Sequence, residues 1–149
     1  AASGAAYRRP SGLAATRRMS AEFADTNVVL SLLDDGPKAG RAEAILGQGP
    51  RINVQVLNEA LVNCRRKAGL GWEDTGAFLA GIQALCPVED LTLQTHQVGR
   101  ALAERYGFSI YDAMIVAAAL IAGCTVLWSE DMQDGLLVED RLRIVNPFA

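Results

Sequence analysis

The chain is poor in the residues that most often carry enzyme chemistry. Its 149 residues include one histidine, His96, and two lysines, Lys38 and Lys67. It has no P-loop and no G-x-G-x-x-G signature, which argues against the common nucleotide-binding folds. Haloacid-dehalogenase-type phosphatases and receiver domains need a lysine near a late strand, and neither lysine is placed there. His96 lies in a polar segment, so we expect a surface position and no catalytic role.

Cysteine and long hydrophobic runs are also scarce. The three cysteines, Cys64, Cys86 and Cys124, form no C-x-x-C pair, which fits neither a disulfide framework nor a zinc site. Their apolar surroundings predict buried free thiols in a reducing compartment, and hence a cytoplasmic protein. The longest apolar stretch, residues 113–128, contains Gly123 and is shorter than the ~20 residues of a membrane span. We therefore expect a buried core and no membrane partner.

Residues 1–18 differ from the rest of the chain, because they contain four arginines and no acid. Such a segment can be an organelle transit peptide. The simpler interpretation is a disordered or non-native extension before Met19, with residues 19–149 forming the functional domain. Removing its four positive charges from the net charge of −3 leaves −7 for residues 19–149.

Hydrophobic periodicity predicts strands that alternate with helices. The expected strands are a first one within residues 22–33, then 51–54, 88–93, 124–128 and 142–145. The expected helices are 38–46, 56–67, 72–85, 94–106 and 110–122. This alternation indicates an α/β sandwich with a mostly parallel sheet.

Acidic side chains fall at the points where active sites form in such sheets, near the carboxyl ends of strands. The first, Asp25, stands inside the apolar stretch EFADTNVVLSLL. Glu59 lies on the helix after the second strand, and Asp112 opens the apolar helix of residues 110–122. Glu130 and Asp131 follow the strand CTVLW. Each acid alone could be a helix-start, turn or solvated residue, but their joint placement predicts a shared site.

Converging carboxylates repel one another unless a cation lies between them. Mg²⁺ prefers oxygen ligands and binds through carboxylates, waters and substrate phosphates. Such an ion can activate water and neutralise charge that develops on a phosphodiester. A metal site would therefore explain why Asp25 is tolerated in its apolar surroundings.

Four ordered segments resemble the PIN-domain ribonucleases, and most of all the VapC-type toxins of bacterial toxin–antitoxin systems. They read FADTNVVLSLL, VQVLNEALVN, SIYDAMIVAAALIAGC and VLWSEDMQDG. The resemblance implies a three-layer α/β/α sandwich and cleavage of RNA that depends on Mg²⁺ or Mn²⁺. It also implies an antitoxin partner and a homodimer.

The resemblance assigns the catalytic and metal-binding roles by position. The matching acids are Asp25, Glu59, Asp112 and Asp131. Asn27 and Ser129 match supporting polar residues, and Glu130 could substitute for Asp131 or assist it. The aromatic residue that often follows the fourth acid is missing, so Asp134 also stays open as that acid.

The alternative to a nuclease is an inactive PIN-like module that binds RNA or protein. The acidic balance of residues 19–149 argues against tight non-specific RNA binding, which usually needs a basic patch. Arg65, Arg66 and Lys67 could contact RNA, although cations at a helix carboxyl end are also explained by the helix dipole.

Overall fold

The computed structural model describes residues 21–149, so the predicted extension and Met19 lie outside the described residues. The strands are β1 Glu22–Ala24, β2 Ile52–Asn53, β3 Val88–Glu89, β4 Val126–Trp128, β5 Leu137–Val138 and β6 Leu142–Val145. The helices are α1 Thr26–Leu30, α2 Pro37–Leu46, α3 Val54–Arg66, α4 Trp72–Leu85, α5 Leu93–Tyr106 and α6 Ile110–Ile121. A 3-10 turn, Ser31–Leu33, joins α1 to the loop before α2.

The sheet is mostly parallel, which confirms the predicted α/β/α architecture. Four strands pair in the order β1-β4-β6-β5, and β2 pairs with β3. A parallel bridge between Phe23 and Arg51 joins the two groups beside β1. The contact between β5 and β6 is antiparallel, and the other strand pairs are parallel. The carboxyl ends of β1, β2 and β4 therefore share one edge of the sheet.

The first strand is shorter than predicted, and the prediction is wrong for the second half of this segment. The apolar residues Val28 and Val29 lie in α1 rather than in a strand. The Asp25 side chain accepts a hydrogen bond from the Thr26 N–H and caps α1. Capping by an aspartate stabilises a helix start, and here it prevails over the β preference of the valines.

The other predicted elements are confirmed with small shifts at their ends. The predicted helix 72–85 and strand 142–145 match α4 and β6 in full. The predicted strands 51–54, 88–93 and 124–128 shorten to β2, β3 and β4. The two-residue β5 was not predicted, because a strand that short has no periodicity.

The core packs around α6, whose residues 113–120 are all buried. Both ends of this helix reach the surface, since Tyr111 and Ile121 are exposed. The three cysteines are buried and free, as predicted, and His96 is exposed on α5. Across residues 21–149, no helix is long and apolar enough to span a membrane.

Candidate active site

Asp25 lies directly after β1, at the carboxyl edge of the sheet. Its backbone N–H donates to the Trp128 carbonyl at 2.9 Å, which fixes it beside β4. Its Oδ1 accepts from the Thr26 N–H at 2.7 Å. Its Oδ2 accepts from the Ser129 hydroxyl at 2.7 Å and from Asn27 Nδ2 at 3.0 Å. A carboxylate with this many donors has one fixed orientation, as a ligand or catalytic group requires.

The environment of Asp25 disfavours its charged form. The side chain is only 3 % exposed. Burial raises its pKa from 3.8 to about 7, and the negative charges of Asp112 and Glu59 add to the increase. The hydrogen bonds from Ser129 and Thr26 lower the pKa in part. A nearby cation would reverse this balance, because an opposite charge favours the ionised carboxylate.

Glu59 reaches the same region from α3. This helix begins where the Asn53 side chain accepts from the Val56 N–H at 3.1 Å. Glu59 Oε1 accepts from the Thr26 hydroxyl at 2.7 Å, and Oε2 accepts from Gln55 Nε2 at 2.7 Å. Gln55 lies one turn earlier on the same helix face, where residues four apart meet. Both oxygens of Glu59 are therefore oriented by neighbouring side chains.

Asp112 enters from the first turn of α6. The Ser109 hydroxyl caps this helix by accepting from the Asp112 N–H at 3.1 Å. Burial raises the pKa of the Asp112 carboxyl, and the charges of Glu59 and Asp131 raise it further. The pKa of Asp25 thus responds to the charges of Asp112 and Glu59, and the pKa of Asp112 responds to those of Glu59 and Asp131. All four predicted acids therefore lie close enough to repel at least one other acid of the set.

The loop after β4 supplies Asp131. Asn27 Nδ2 lies 3.3 Å from Asp131 Oδ2, while Asn27 Oδ1 accepts from the Glu130 N–H at 3.0 Å. Asn27 therefore holds both the strand-end backbone and a carboxylate. Ser129, with no exposed surface, connects the same loop to Asp25 and donates its backbone N–H to the Val145 carbonyl at 3.0 Å.

The two alternative acids point elsewhere. The Glu130 carboxylate forms an ion pair with Lys38 Nζ at 2.5 Å. The Asp134 carboxylate accepts from the Asn146 N–H at 2.8 Å. Neither lines the cleft around Asp25, whereas Asp131 does. The geometry thus favours Asp131 as the fourth acid of the cleft.

The four predicted acids line one open cleft of about 540 Å³, and Asp34 lines it as well. Both lysines of the chain, Lys38 and Lys67, also line it. Phosphate groups of a polyanionic substrate could thus meet positive charge within the same cleft that concentrates carboxylates.

The donor set of this cleft fits a hard divalent cation. Its acids offer only oxygen ligands, and burial, with a smaller contribution from the neighbouring acids, raises the pKa values of Asp25 and Asp112, so a bound cation would favour their ionised forms. In the part of the chain that the structure describes, no three Asp, Glu, His or Cys side chains have the spacing of a direct metal site. Mg²⁺ needs only one or two carboxylates, because it keeps several waters.

The PIN domain family profile matches residues 23–133, which include the four acids. The chain belongs to the PIN domain family. No curated protein sequence matches it.

The solved structures that resemble this PIN domain in fold include three bacterial proteins. A chain of a toxin–antitoxin complex from Klebsiella pneumoniae matches with a TM-score of 0.66 and 17 % identity, covering 85 % of this chain and 97 % of its own. VapC20 from Mycobacterium tuberculosis, a toxin that cleaves the sarcin–ricin loop, has a TM-score of 0.61 and 19 % identity over 74 % of this chain and 89 % of its own. VapBC2 from Rickettsia felis, solved with a DNA fragment from its promoter, has a TM-score of 0.55 and 16 % identity. The match covers 74 % of this chain and 87 % of the VapBC2 chain. The predicted resemblance to VapC-type proteins is thereby confirmed at the level of fold.

Several polar residues in or beside this PIN domain's cleft had no predicted role in the site. Thr26 and Gln55 orient Glu59, and Asn63 lines the cleft. The spacing of four between Gln55 and Glu59 was the available sequence signal. The Thr26 contact crosses between two elements, so only the folded arrangement reveals it.

Proposed function

We propose that this PIN domain is a divalent-metal-dependent endoribonuclease that acts as the toxin of a toxin–antitoxin pair. The observation that carries the proposal is the convergence of four acids from separate elements on one cleft at the carboxyl edge of the sheet. Membership of the PIN family and the similarity in fold to VapC20, a toxin that cleaves the sarcin–ricin loop, support it.

One or two of Asp25, Glu59 and Asp112 would bind Mg²⁺ or Mn²⁺ directly, and the others would hold it through its bound waters. The ion would supply Lewis acidity and make water a stronger nucleophile at neutral pH. Ser129 and Asn27 orient Asp25, while Thr26 and Gln55 orient Glu59. Asp131, placed by Asn27, would accept a hydrogen bond from the attacking water and orient it toward the phosphodiester.

The proposal includes an antitoxin partner. Two of the similar structures are toxin–antitoxin complexes, one of them bound to promoter DNA. An acidic cleft with buried negative charge would attract a cationic segment, such as an arginine side chain of an antitoxin. A homodimer in the cytoplasm is part of the same proposal.

The first test is RNA cleavage by the purified protein. A labelled pool of single-stranded and stem-loop RNAs is incubated with Mg²⁺, with Mn²⁺ or with EDTA. We expect internal cleavage with either metal, none in EDTA, and none by Asp25→Asn. Asp134→Asn is the matched control, because Asp134 does not line the cleft and an amide oxygen can still accept from Asn146.

Two outcomes would contradict the nuclease proposal. RNA binding without cleavage under any metal, unchanged in Asp25→Asn, would show an inactive binding module. Cleavage that persists in both EDTA and Asp25→Asn would place the reaction outside this cleft.

A further inference from the structure

One face of α3 extends the cleft away from the acids. Glu59, Asn63 and Lys67 are spaced four residues apart, so their side chains lie above one another on the helix. All three line the cleft. Lys67 directly follows α3 as its C-cap residue and retains a helical backbone. At about 1.5 Å per residue, it lies about 12 Å along the helix axis from Glu59.

The structure separates three adjacent cations that the sequence could not distinguish. The Arg65 guanidinium lies 4.2 Å from the centre of the Trp72 ring and donates to the Leu70 carbonyl at 2.9 Å. Arg66 is exposed and does not line the cleft. Lys67 is exposed and does line it. The helix dipole acts on all three residues, so it does not explain the particular position of Lys67.

Of the two lysines that line the cleft, Lys67 is the one whose positive charge is not paired with a carboxylate of the described residues. The other one, Lys38, forms an ion pair with Glu130 and has its ammonium 5.2 Å from the centre of the Phe148 ring. Within residues 21–149, no salt bridge involves Lys67. A free ammonium at the edge of an acidic cleft can bind an anionic group that the acids alone would repel.

We propose that Lys67 is a positioning residue that binds a backbone phosphate of the RNA strand, next to the phosphodiester that is cleaved. This inference rests on the proposed ribonuclease function. Because the backbones of Lys67 and Glu59 lie about 12 Å apart along α3, we assign the contact of Lys67 to a flanking phosphate and not to the one at the acids. It would fix the direction in which the strand enters the cleft.

The test measures RNA binding apart from cleavage. A fluorescent single-stranded RNA that the wild-type protein cleaves is titrated in Mg²⁺ with Asp25→Asn, and with that variant carrying Lys67→Gln, Lys67→Arg or Arg66→Gln. Arg66→Gln removes one positive charge from the neighbouring position, outside the cleft. Each Kd is measured from 50 to 300 mM salt. Cleavage by Lys67→Gln in the otherwise wild-type protein provides kcat and KM.

We expect Lys67→Gln to weaken binding about fivefold at 0.1 M salt and to reduce the salt slope by about 0.7, because one phosphate contact on a single strand is lost. Lys67→Arg should restore both, Arg66→Gln should change neither, and KM should rise while kcat stays the same. Equal effects of Lys67→Gln and Arg66→Gln would overturn the role of Lys67 and leave the nuclease proposal intact. Absence of both cleavage and binding in the parent proteins would overturn the two proposals together.

Discussion

Asp25 is buried, yet it must be ionised to attract a cation. Its pKa of about 7 means that the folded protein keeps a proton on this carboxyl at acidic pH values where the unfolded chain has lost it. A carboxyl whose pKa is raised on folding stabilises the fold most below its unfolded pKa, and that contribution is lost as the pH rises through the folded pKa. The metal-free protein should therefore lose stability between about pH 4 and 7 on this account.

Asp25→Asn should reduce this pH dependence. In EDTA, as the pH rises from about 4 to 7, the free energy of unfolding of the wild type should fall relative to that of the variant. The decrease should be as much as roughly 1.4 kcal/mol per pH unit. Urea unfolding at pH 4 to 8 measures the difference, and Asp35→Asn, at an exposed position, serves as control. Parallel curves for wild type and Asp25→Asn would contradict the raised pKa.

Thr26 offers a second test, because its hydroxyl orients Glu59 from a position that is only 6 % exposed. Thr26→Val keeps the shape and removes the donor. We expect the Mg²⁺ concentration for half-maximal cleavage to rise about 10-fold or more, as for other groups that orient metal ligands. Thr26→Ser keeps the hydroxyl and should behave as wild type. An unchanged metal requirement in Thr26→Val would show that this hydrogen bond has no role in metal binding.

Single residues also show what the sequence can and cannot reveal about the site. Hydrophobic patterning places Asp25 and Asp112 at element boundaries and Glu59 on the helix after the second strand, so their approach to one edge was predictable. The choice among Glu130, Asp131 and Asp134 was not, because it depends on side-chain directions in a loop. Those directions are set by contacts with Asn27, Lys38 and Asn146, which are distant in sequence.

At the scale of elements, α6 is the central helix of the core, and two of its three isoleucines lie in opposite environments that test this role. Ile115 has no exposed surface, while Ile121 is 42 % exposed. Ile115→Ala should lower the free energy of unfolding by about 2–5 kcal/mol, because it leaves a buried cavity. Ile121→Ala should cost less than about 1 kcal/mol in the monomer. Chemical denaturation of both variants measures the contrast.

A large loss for Ile121→Ala would have a different meaning. It would indicate that the exposed end of α6 is covered in solution, as in the proposed homodimer. Dependence of that loss on protein concentration would then distinguish a dimer interface from an effect within one chain.

Elements with long periodic patterns were predicted better than short ones. The helix α4 and the strand β6 were predicted at their observed bounds, since their patterns and flanking breakers agree. The segment of α1 was assigned to a strand because Val28 and Val29 favour strands locally. The cap by Asp25 and the packing of α1 beside α3 stabilise a helix there instead. Tertiary contacts of that kind cannot be predicted from the local sequence.

At the scale of the whole molecule, we predict that residues 1–18 contribute nothing to the domain fold. The match to the PIN domain family begins at residue 23. A chain that begins at Met19 should keep the Tm and the metal-dependent cleavage of the full chain. A lower Tm on removal would show that the segment packs on the domain. Weaker RNA binding at an unchanged Tm would instead show that its four arginines contact RNA.

The position of β6 has a consequence for the order in which the protein is made. Ser129, which orients Asp25, is itself anchored to the Val145 carbonyl of β6. This strand pairs between β4 and β5, although it follows every acid of the cleft in the chain. A chain still on the ribosome therefore lacks an assembled cleft until β6 has been translated and has entered the sheet. In the proposed nuclease, the four acids would therefore be synthesised first and become active only when β6 is in place.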